Sequence, residues 1–339
     1  MTKAAVYQGN RKFITGTSTP IAPGPDEVRL NVAFCGVCGT DVHIYHGAMD
    51  GRVGPPKIVG HEASAVVAEL GEGVTELSVG DRVAVRPLQF GEPTAFDKGC
   101  PHVGKNLKFI GIDTPGAMQS SWTVPAYTLH KLPDSLSLQH GALIEPVAVA
   151  CHDVRLGQVK PGEKCVVLGG GPIGLLIALV ARERLAKVLV SEVNPTRIAL
   201  AESLGLKAVN PLEQDLVREV AAWSDDAMAD VVFEVSGVAP AVEVMTELPN
   251  VRGRIVMVAI HTEPKPVNLF RFFWSEIRMI GARLYEAEDF NEAIRLAASG
   301  VLPLDSLITQ VDPLEATQQV FETIDANPEG MKYLIQCNE

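Results

Sequence analysis

Two patterns of apolar and polar positions divide the chain. Up to about residue 150, short apolar runs alternate with turn sequences such as Pro23-Gly24-Pro25 and Val79-Gly80-Asp81. This pattern is typical of a β-meander or barrel. It predicts strands at Ala4–Tyr7, Glu27–Phe34, Ala63–Leu70 and Arg82–Val85.

Beyond Lys164, strand-length and helix-length apolar segments alternate, which predicts a parallel, doubly wound sheet. Asn194 immediately precedes Pro195, a typical start signal for a helix. The predicted strands are Cys165–Leu168, Lys187–Ser191, Ala208–Val209, Val231–Glu234 and Arg254–Val258, and the predicted helices are Ile173–Arg184, Pro195–Leu204 and Leu212–Trp223.

The pattern changes again after residue 289, and we expect this last part to fold back onto the first. Its predicted elements are a helix at Phe290–Ser299, a strand at Ile308–Val311, a helix at Leu314–Asp325 and a strand at Tyr333–Gln336. The length of 339 residues accommodates two domains. We therefore predict a catalytic domain of residues 1–150 and 290–339, with a nucleotide-binding domain of residues 151–289 inserted.

Composition narrows the class of protein. A hydrophobic share of 47% and a charged share of 21% are typical of a soluble globular protein. The net charge of −12 argues against nucleic acid or an anionic membrane as partner. The apolar stretch Cys165–Ala181 is interrupted by Gly169–Pro172, so it predicts a strand, turn and helix rather than a membrane span. No secretory signal is recognisable, and six scattered cysteines form no disulfide framework, so we expect a cytoplasmic protein.

A glycine-rich loop joins the first predicted strand and helix of the inserted domain. Gly169, Gly171 and Gly174 match G-x-G-x-x-G, and Pro172 and Ile173 complete the loop. Between a strand and a helix, this motif indicates a dinucleotide site in which the helix N-terminus binds the pyrophosphate.

Glu192 ends the next predicted strand, where an acidic residue accepts hydrogen bonds from the adenosine ribose. Its charge would repel the 2′-phosphate of NADP, so it favours NAD. The alternatives are that Glu192 is only a solvated strand end, and that Arg197 attracts a 2′-phosphate.

A second constellation precedes the glycine loop. Cys38, His61, Glu62 and Glu145 offer a thiolate, an imidazole and carboxylates, which suit zinc. A lone cysteine or histidine is more often a buried core residue. Together with the glycine loop, however, a Lewis acid and a hydride acceptor in one chain point to the oxidation of an alcohol carbon.

These residues lie within motifs that resemble those of zinc-dependent medium-chain alcohol dehydrogenases. The chain is most similar to the branch that contains polyol (sorbitol-type), 2,3-butanediol and L-threonine dehydrogenases. The resemblance covers essentially the whole chain, and its motifs are Gly36–His43, Gly60–Glu62, Val79–Val83, Ala142–Pro146, Gly169–Gly174, Phe233–Gly237 and Gly253–Val256.

The resemblance implies a GroES-like β-barrel catalytic domain with a Rossmann domain, and a zinc ion held by Cys38 and His61. Glu145 holds the position of a third ligand and binds either directly or through water. Glu62 is either the alternative metal carboxylate or a group beside the metal. Thr40 and His43 match the positions of a proton relay.

Two neighbouring residues have less defined roles. Asp41 either orients the Cys38 loop or the His61 ring, or is only a capping carboxylate. Cys35 lies outside the family's ligand position and reads as core packing.

The chain departs from many relatives at a lobe where four cysteines hold a second, structural zinc. Phe90, Pro93, Phe96 and Gly104 occupy those positions, and Cys100 and His102 fall between them. Two ligands cannot make a closed tetrahedral site. We therefore expect one catalytic zinc per subunit, and a metal-free lobe held by apolar packing.

The expected activity is the transfer of a hydride from a secondary alcohol of a polyol or related hydroxy compound to NAD. L-threonine or 2,3-butanediol is the alternative substrate. Two other classes are a catalytically inactive binding relative and a zinc-free reductase that uses NADPH. The resemblance also implies a homodimer or homotetramer, and the apolar run Arg254–Ile260 is the candidate edge strand for pairing.

Overall fold

The first part of the chain folds mainly into strands, including the four that its pattern predicts. The structure is a computed structural model that describes residues 2–338. The elements up to residue 156 are β1 (Thr2–Tyr7), β2 (Phe13–Ser18), β3 (Glu27–Gly36), α1 (Gly39–Tyr45), α2 (Asp50–Val53), β4 (Lys57–Ile58), β5 (Glu62–Leu70), β6 (Arg82–Val85), β7 (Leu88–Gln89), β8 (Lys108–Phe109), β9 (Ser121–Pro125), β10 (Leu129–Lys131), α3 (Leu138–Gly141) and α4 (Ile144–Leu156).

Alternating strands and helices follow, as the sequence predicts. They are β11 (Lys164–Leu168), α5 (Pro172–Glu183), β12 (Lys187–Ser191), α6 (Pro195–Ser203), β13 (Lys207–Val209), α7 (Leu216–Ser224), β14 (Ala229–Glu234), α8 (Ala239–Val244), β15 (Pro249–Met257), α9 (Leu269–Ser275) and β16 (Arg278–Gly281). The strands form one parallel sheet in the order β13-β12-β11-β14-β15-β16, the doubly wound topology expected. Asn194 caps α6 by accepting from Arg197 N at 3.1 Å.

The candidate edge strand was wrongly placed. The run Arg254–Ile260 falls largely in β15, which pairs with β14 on one side and β16 on the other. An interior strand covered on both faces has the same apolar pattern as an unprotected edge, so the sequence does not distinguish them. The edges of this sheet are β13 and β16, and neither β16 nor α9 was predicted.

The last part of the chain contains α10 (Ala287–Ala298), β17 (Ile308–Pro313), α11 (Thr317–Ala326) and β18 (Lys332–Gln336). The predicted helices and strands of this region are therefore present with shifted ends. Short 3₁₀ helices occur at Pro101–Val103, Ala126–Thr128, Leu304–Leu307 and Leu314–Ala316.

The described residues form two compact units, one up to Glu145 and from Phe290 onward, the other Pro146–Asp289. The sequence placed these two boundaries after residues 150 and 289. None of the helices described is both long and apolar enough to cross a membrane.

The first unit is organised around β3. This strand pairs with β5, β9 and β18 in a sheet of order β10-β6-β5-β3-β18-β17, and the pairing with β18 is antiparallel. Leu30, Val32, Ala65 and Val83 are completely buried in it. The close pairing of β3, β5 and β18 brings the start of β5 and the start of β18 to the end of β3.

The second unit buries the side chains of its sheet beneath helices. Its core cluster includes Val166, Leu189, Val232, Ile255 and, from α7, Val220. Burial on both faces explains why β11, β12 and β14 are almost continuously apolar.

Candidate functional site

Cys38 lies just after β3, at the N-cap position of α1. Its N–H donates to Asp41 Oδ2 at 3.0 Å. Asp41 is completely buried, and its Oδ1 lies 3.7 Å from His61 Nδ1. Asp41 thus caps α1 by accepting from the Cys38 N–H, which was the alternative that the sequence analysis left open, and it also faces the His61 ring.

His61 and Glu62 are buried at the start of β5, close to Cys38. One ligand atom from each of Cys38, His61 and Glu62 lies within 4.8 Å of the others. Burial lowers the pKa of His61, but the Asp41 carboxylate and the Cys38 side chain outweigh this effect and raise it to about 10. The electrostatic surroundings therefore favour positive charge at the His61 ring.

This donor set fits a zinc ion. Thiolate, imidazole and carboxylate are its usual ligands, and a carboxylate on the far side of the histidine ring commonly orients that ligand. Buried His61 Nδ1 makes no hydrogen bond among the described residues, and buried Glu62 Oε2 has only its ion pair with Lys332. His61 Nδ1 faces Asp41, which leaves Nε2 for the metal.

Glu145 is the second residue of α4 and is buried. Its charge acts on His61 and on Lys332. It is not one of the three residues that group within 4.8 Å. The structure therefore groups Glu62 with Cys38 and His61, and Glu145 lies near enough to act on the charge of His61 and Lys332.

Lys332, the first residue of β18, was missed by the sequence analysis. Its buried Nζ donates to Glu62 Oε1 at 2.6 Å and to Val37 O at 3.0 Å, and it also contacts Glu62 Oε2. Burial lowers the pKa of Lys332, but the negative charges of Glu62 and Cys38 raise it overall. No motif marks this lysine, which lies 270 residues from Glu62.

Thr40 and His43 are one turn apart on α1. Thr40 is half-buried and His43 is exposed. A proton could therefore move from the partly buried Thr40 hydroxyl to the exposed His43 ring and on to solvent, which is the direction that a proton relay requires. Cys35 is completely buried, as its interpretation as core packing predicts.

The glycine-rich loop joins β11 to α5, as predicted. Gly169 has φ +108°, a conformation that disfavours any side chain. A Cβ on Gly174 would lie 1.9 Å from Gly169 O, so only glycine fits there. Pro172 and Ile173 begin α5, whose free N–H groups and positive dipole end suit a phosphate.

Glu192 follows β12 and connects it to the glycine-rich loop. Its Oε2 accepts from Gly170 N at 2.7 Å, and its Oε1 accepts from Val193 N at 2.7 Å and Asn194 N at 2.9 Å. Arg197 lies beside the same loop, since a Cβ on Gly171 would be 3.8 Å from its Nη1. The predicted nucleotide residues therefore surround one loop.

The lobe that lacks zinc-binding cysteines is held mainly by Asp97. This carboxylate accepts from Thr94 N at 2.7 Å, Thr94 Oγ1 at 2.8 Å and Lys105 N at 2.9 Å. Phe90 stacks on Tyr127, but Phe96 is 74% exposed. The prediction of apolar packing was therefore incomplete, because a polar hydrogen-bonding centre draws the two ends of the lobe together.

The second unit contains another histidine–carboxylate cluster, which the sequence analysis missed. His152 Nδ1 lies 2.8 Å from Asp289 Oδ2, and Arg155 Nε donates to Asp289 Oδ1 at 2.7 Å. Arg155 also pairs with Glu286 and Glu288. Because the Arg155 guanidinium forms ion pairs with these carboxylates, we interpret the cluster as an ion-pair network rather than a metal site.

Sequence comparison matches two family descriptions to the chain. The alcohol dehydrogenase GroES-like domain matches residues 24–134, and the zinc-binding dehydrogenase matches residues 172–299. The first match covers Cys38, His61 and Glu62, and the second covers Pro172, Ile173 and Gly174 of the nucleotide loop and Glu192.

Curated relatives align with nearly the whole chain. A 2-dehydro-3-deoxy-L-galactonate 5-dehydrogenase of Pseudoalteromonas atlantica (strain T6c / ATCC BAA-1087) is 54% identical over 99% of this chain and 98% of its own length. A sorbitol dehydrogenase of Gallus gallus is 33% identical over 93% of this chain and 91% of its own.

Solved structures share the fold. A 2R,3R-butanediol dehydrogenase from Bacillus subtilis has 30% identity and a TM-score of 0.92 and covers 100% of both chains. A structure from Sinorhizobium meliloti 1021, bound to NADP, has 30% identity and a TM-score of 0.92 and covers 99% of both chains.

Proposed function

The chain belongs to the zinc-dependent medium-chain alcohol dehydrogenase family, and we propose that it oxidises a secondary hydroxyl of a sugar acid with NAD. The observation that carries the proposal is the group formed by Cys38, His61 and Glu62 in the first unit. The second unit contributes the glycine-rich loop for a pyridine nucleotide.

We assign Cys38, His61 and Glu62 as the protein ligands of one catalytic zinc, with Glu145 acting through water. When bound, zinc would polarise the substrate hydroxyl and lower its pKa. Asp41 orients His61, and Lys332 holds the Glu62 carboxylate in place by contacting both of its oxygens. No structural zinc is proposed, because Asp97 closes the lobe by hydrogen bonds.

The proton of the substrate hydroxyl passes to Thr40, and His43 transfers it to solvent. The different exposures of these two residues on α1 support this direction. A bound pyridine nucleotide, held by the glycine-rich loop, would supply the acceptor for the hydride.

NAD is the proposed nucleotide because Glu192 is buried as a carboxylate acceptor beside the glycine-rich loop. Its charge opposes a 2′-phosphate, whereas Arg197 beside Gly171 interacts with the pyrophosphate side of the nucleotide. The NADP found in the Sinorhizobium meliloti structure makes this preference worth measuring directly.

A sugar acid is favoured over a neutral polyol because the relative named for a deoxygalactonate is 54% identical, whereas the relative named for sorbitol is 33% identical. A neutral polyol or 2,3-butanediol is the second candidate, supported by the sorbitol and butanediol relatives.

The test is a panel of 2-dehydro-3-deoxy-L-galactonate, sorbitol, xylitol and 2,3-butanediol with NAD, read at the nicotinamide absorbance and combined with metal analysis. We expect about one zinc per chain and the highest kcat/KM for the acid. Turnover of sorbitol or butanediol alone contradicts the sugar acid, and an active zinc-free protein contradicts the metal assignment.

We also propose that the protein is a homodimer or homotetramer that pairs through β16 and α9. Phe273 and Trp274 on α9 are 79% and 68% exposed, and β16 leaves one strand edge unpaired within the described sheet. Two copies of an apolar edge can pair across a twofold axis and satisfy each other's backbone groups. Light scattering that finds a monomer at micromolar concentration contradicts this assembly.

A further inference from the structure

Arg52, the penultimate residue of α2, is linked to the metal group through residues 109–113 and is not part of any motif. We propose that Arg52, assisted by Lys57, binds the carboxylate of a sugar-acid substrate. This inference rests on the proposed function, which requires the substrate's anionic end to be recognised as well as its reacting hydroxyl. The ligand recognised is an anionic group at the end of a polyhydroxy chain. A phosphate group is the alternative to a carboxylate.

Asp113 fixes the orientation of the Arg52 guanidinium. Arg52 Nε donates to Asp113 Oδ1 and Arg52 Nη2 donates to Oδ2, both at 2.8 Å. Arg52 has a half-exposed side chain, and its Nη1 takes part in no hydrogen bond or ion pair within residues 2–338. A guanidinium held along one edge therefore offers its remaining N–H groups to a ligand with little further loss of side-chain freedom.

The segment that holds Arg52 also packs against the metal group. Asp113 Oδ2 accepts from Phe109 N at 2.7 Å, and the Phe109 ring meets the His61 ring edge-on with 5.0 Å between centroids. A Cβ on Gly111 would lie 3.2 Å from His61 Cβ. The residues 109–113 thus contact His61 on one side and Arg52 on the other.

Lys57 adds a second positive charge beside residues 112–113. Its Nζ donates to Ile112 O at 3.3 Å and Asp113 O at 3.2 Å, and it forms no ion pair with a carboxylate in the described part of the chain. Two cations therefore face one carboxylate, Asp113. Both positive charges thus lie beside residues 112–113, in a chain whose net charge is −12.

The neighbouring acid does not cancel this charge by pairing with Arg52. Asp50, also on α2, accepts from Tyr7 Oη at 2.9 Å. A neutral polyol gains only ordinary hydrogen bonds from Arg52, whereas a carboxylate forms charge-assisted bonds. The subsite would therefore separate acids from polyols of the same length.

Arg52→Gln removes the charge and tests the subsite, and Arg52→Lys keeps the charge but loses the two-point contact. Arg29→Gln is the matched control, since Arg29 forms a similar two-nitrogen pair with Glu69 in the same unit. The assay compares kcat/KM for 2-dehydro-3-deoxy-L-galactonate, sorbitol and a hexitol phosphate. Circular dichroism and thermal midpoints establish that each variant is folded.

In Arg52→Gln we expect the ratio of kcat/KM for the acid to that for sorbitol to fall about 10- to 100-fold, mainly through KM, as for loss of a charged hydrogen bond. In Arg52→Lys this ratio should fall less, and in Arg29→Gln it should equal the wild-type ratio. An unchanged ratio in Arg52→Gln overturns the subsite while leaving the proposed function intact. A wild type that does not use the acid overturns the proposed function instead.

Two further outcomes of these assays also test the proposed carboxylate subsite. A ratio that changes only for the hexitol phosphate overturns the carboxylate as the natural ligand. If Arg52→Gln does not fold, Lys57→Gln provides the test, because it leaves the pair between Arg52 and Asp113 in place. We expect a severalfold fall in the acid ratio for Lys57→Gln, and wild-type ratios there contradict the proposal.

Discussion

Removing the Glu192 carboxylate separates its structural role from its role in choosing the nucleotide. In Glu192→Ala, the N–H groups of Gly170, Val193 and Asn194 lose their acceptor. Hydrogen bonds to a charged group contribute about 1.5–3 kcal/mol each. Water can reach part of the space vacated, so we expect the free energy of unfolding to fall by about 2–4 kcal/mol rather than by the full sum.

The effect on nucleotide choice has a different cause. The wild type should prefer NAD over NADP by at least about tenfold in kcat/KM, or about 1.4 kcal/mol. Both Glu192→Ala and Glu192→Gln remove the charge that opposes the 2′-phosphate, so both should reduce this preference. Glu192→Gln retains an oxygen for Val193 and Asn194, so its stability should fall less.

The assay measures kcat/KM for NAD and NADP at one substrate concentration, and the thermal midpoint without nucleotide. Asp215→Ala is the control, because Asp215 also accepts from two backbone N–H groups, at the N-terminus of α7. Loss of that cap should cost about 1 kcal/mol without changing the nucleotide ratio. Equal use of both nucleotides by the wild type, or an unchanged ratio in both Glu192 variants, refutes the reasoning.

Three further predictions concern the metal, the buried ion pair and the assembly. Cys38→Ala should lose its zinc and its turnover but keep NADH binding, because the nucleotide residues lie in the second unit; metal analysis and fluorescence titration check this, and normal turnover would rule out the metal assignment. Lys332→Met should lower the free energy of unfolding of the metal-free protein by about 3–5 kcal/mol in chemical denaturation, because it leaves Glu62 buried without its partner; a stability equal to wild type would rule out a stabilising role for this ion pair. Phe273→Glu should dissociate the oligomer in light scattering, whereas Leu212→Glu, at an equally exposed position, should not; an intact assembly in both places the interface elsewhere.

The parts of the site that the sequence predicts are those encoded by short, continuous motifs. Gly169 and Gly174 make the loop recognisable in the sequence. The positive φ of Gly169 disfavours a side chain, and a side chain on Gly174 would clash with Gly169 O. His61 and Glu62 are adjacent in the chain, and Asn194 is next to the proline it caps. In each case the local sequence contains the physical reason for the structure.

The parts that the sequence does not predict depend on contacts between distant segments. Lys332 resembles any strand lysine until β18 pairs with β3 and buries it beside Glu62. Arg254–Ile260 is apolar whether its strand is interior or at the edge. Asp97 looks like an ordinary loop acid, although three donors converge on it.

The position of β18 also sets the order in which the protein can be built on the ribosome. The second unit is one continuous segment, so it can fold as soon as it has emerged. The sheet of the first unit cannot close until β18 has been synthesised and inserted between β3 and β17. Until then Glu62 lacks its lysine partner, so we expect the nascent chain to acquire nucleotide-binding ability before it can retain zinc.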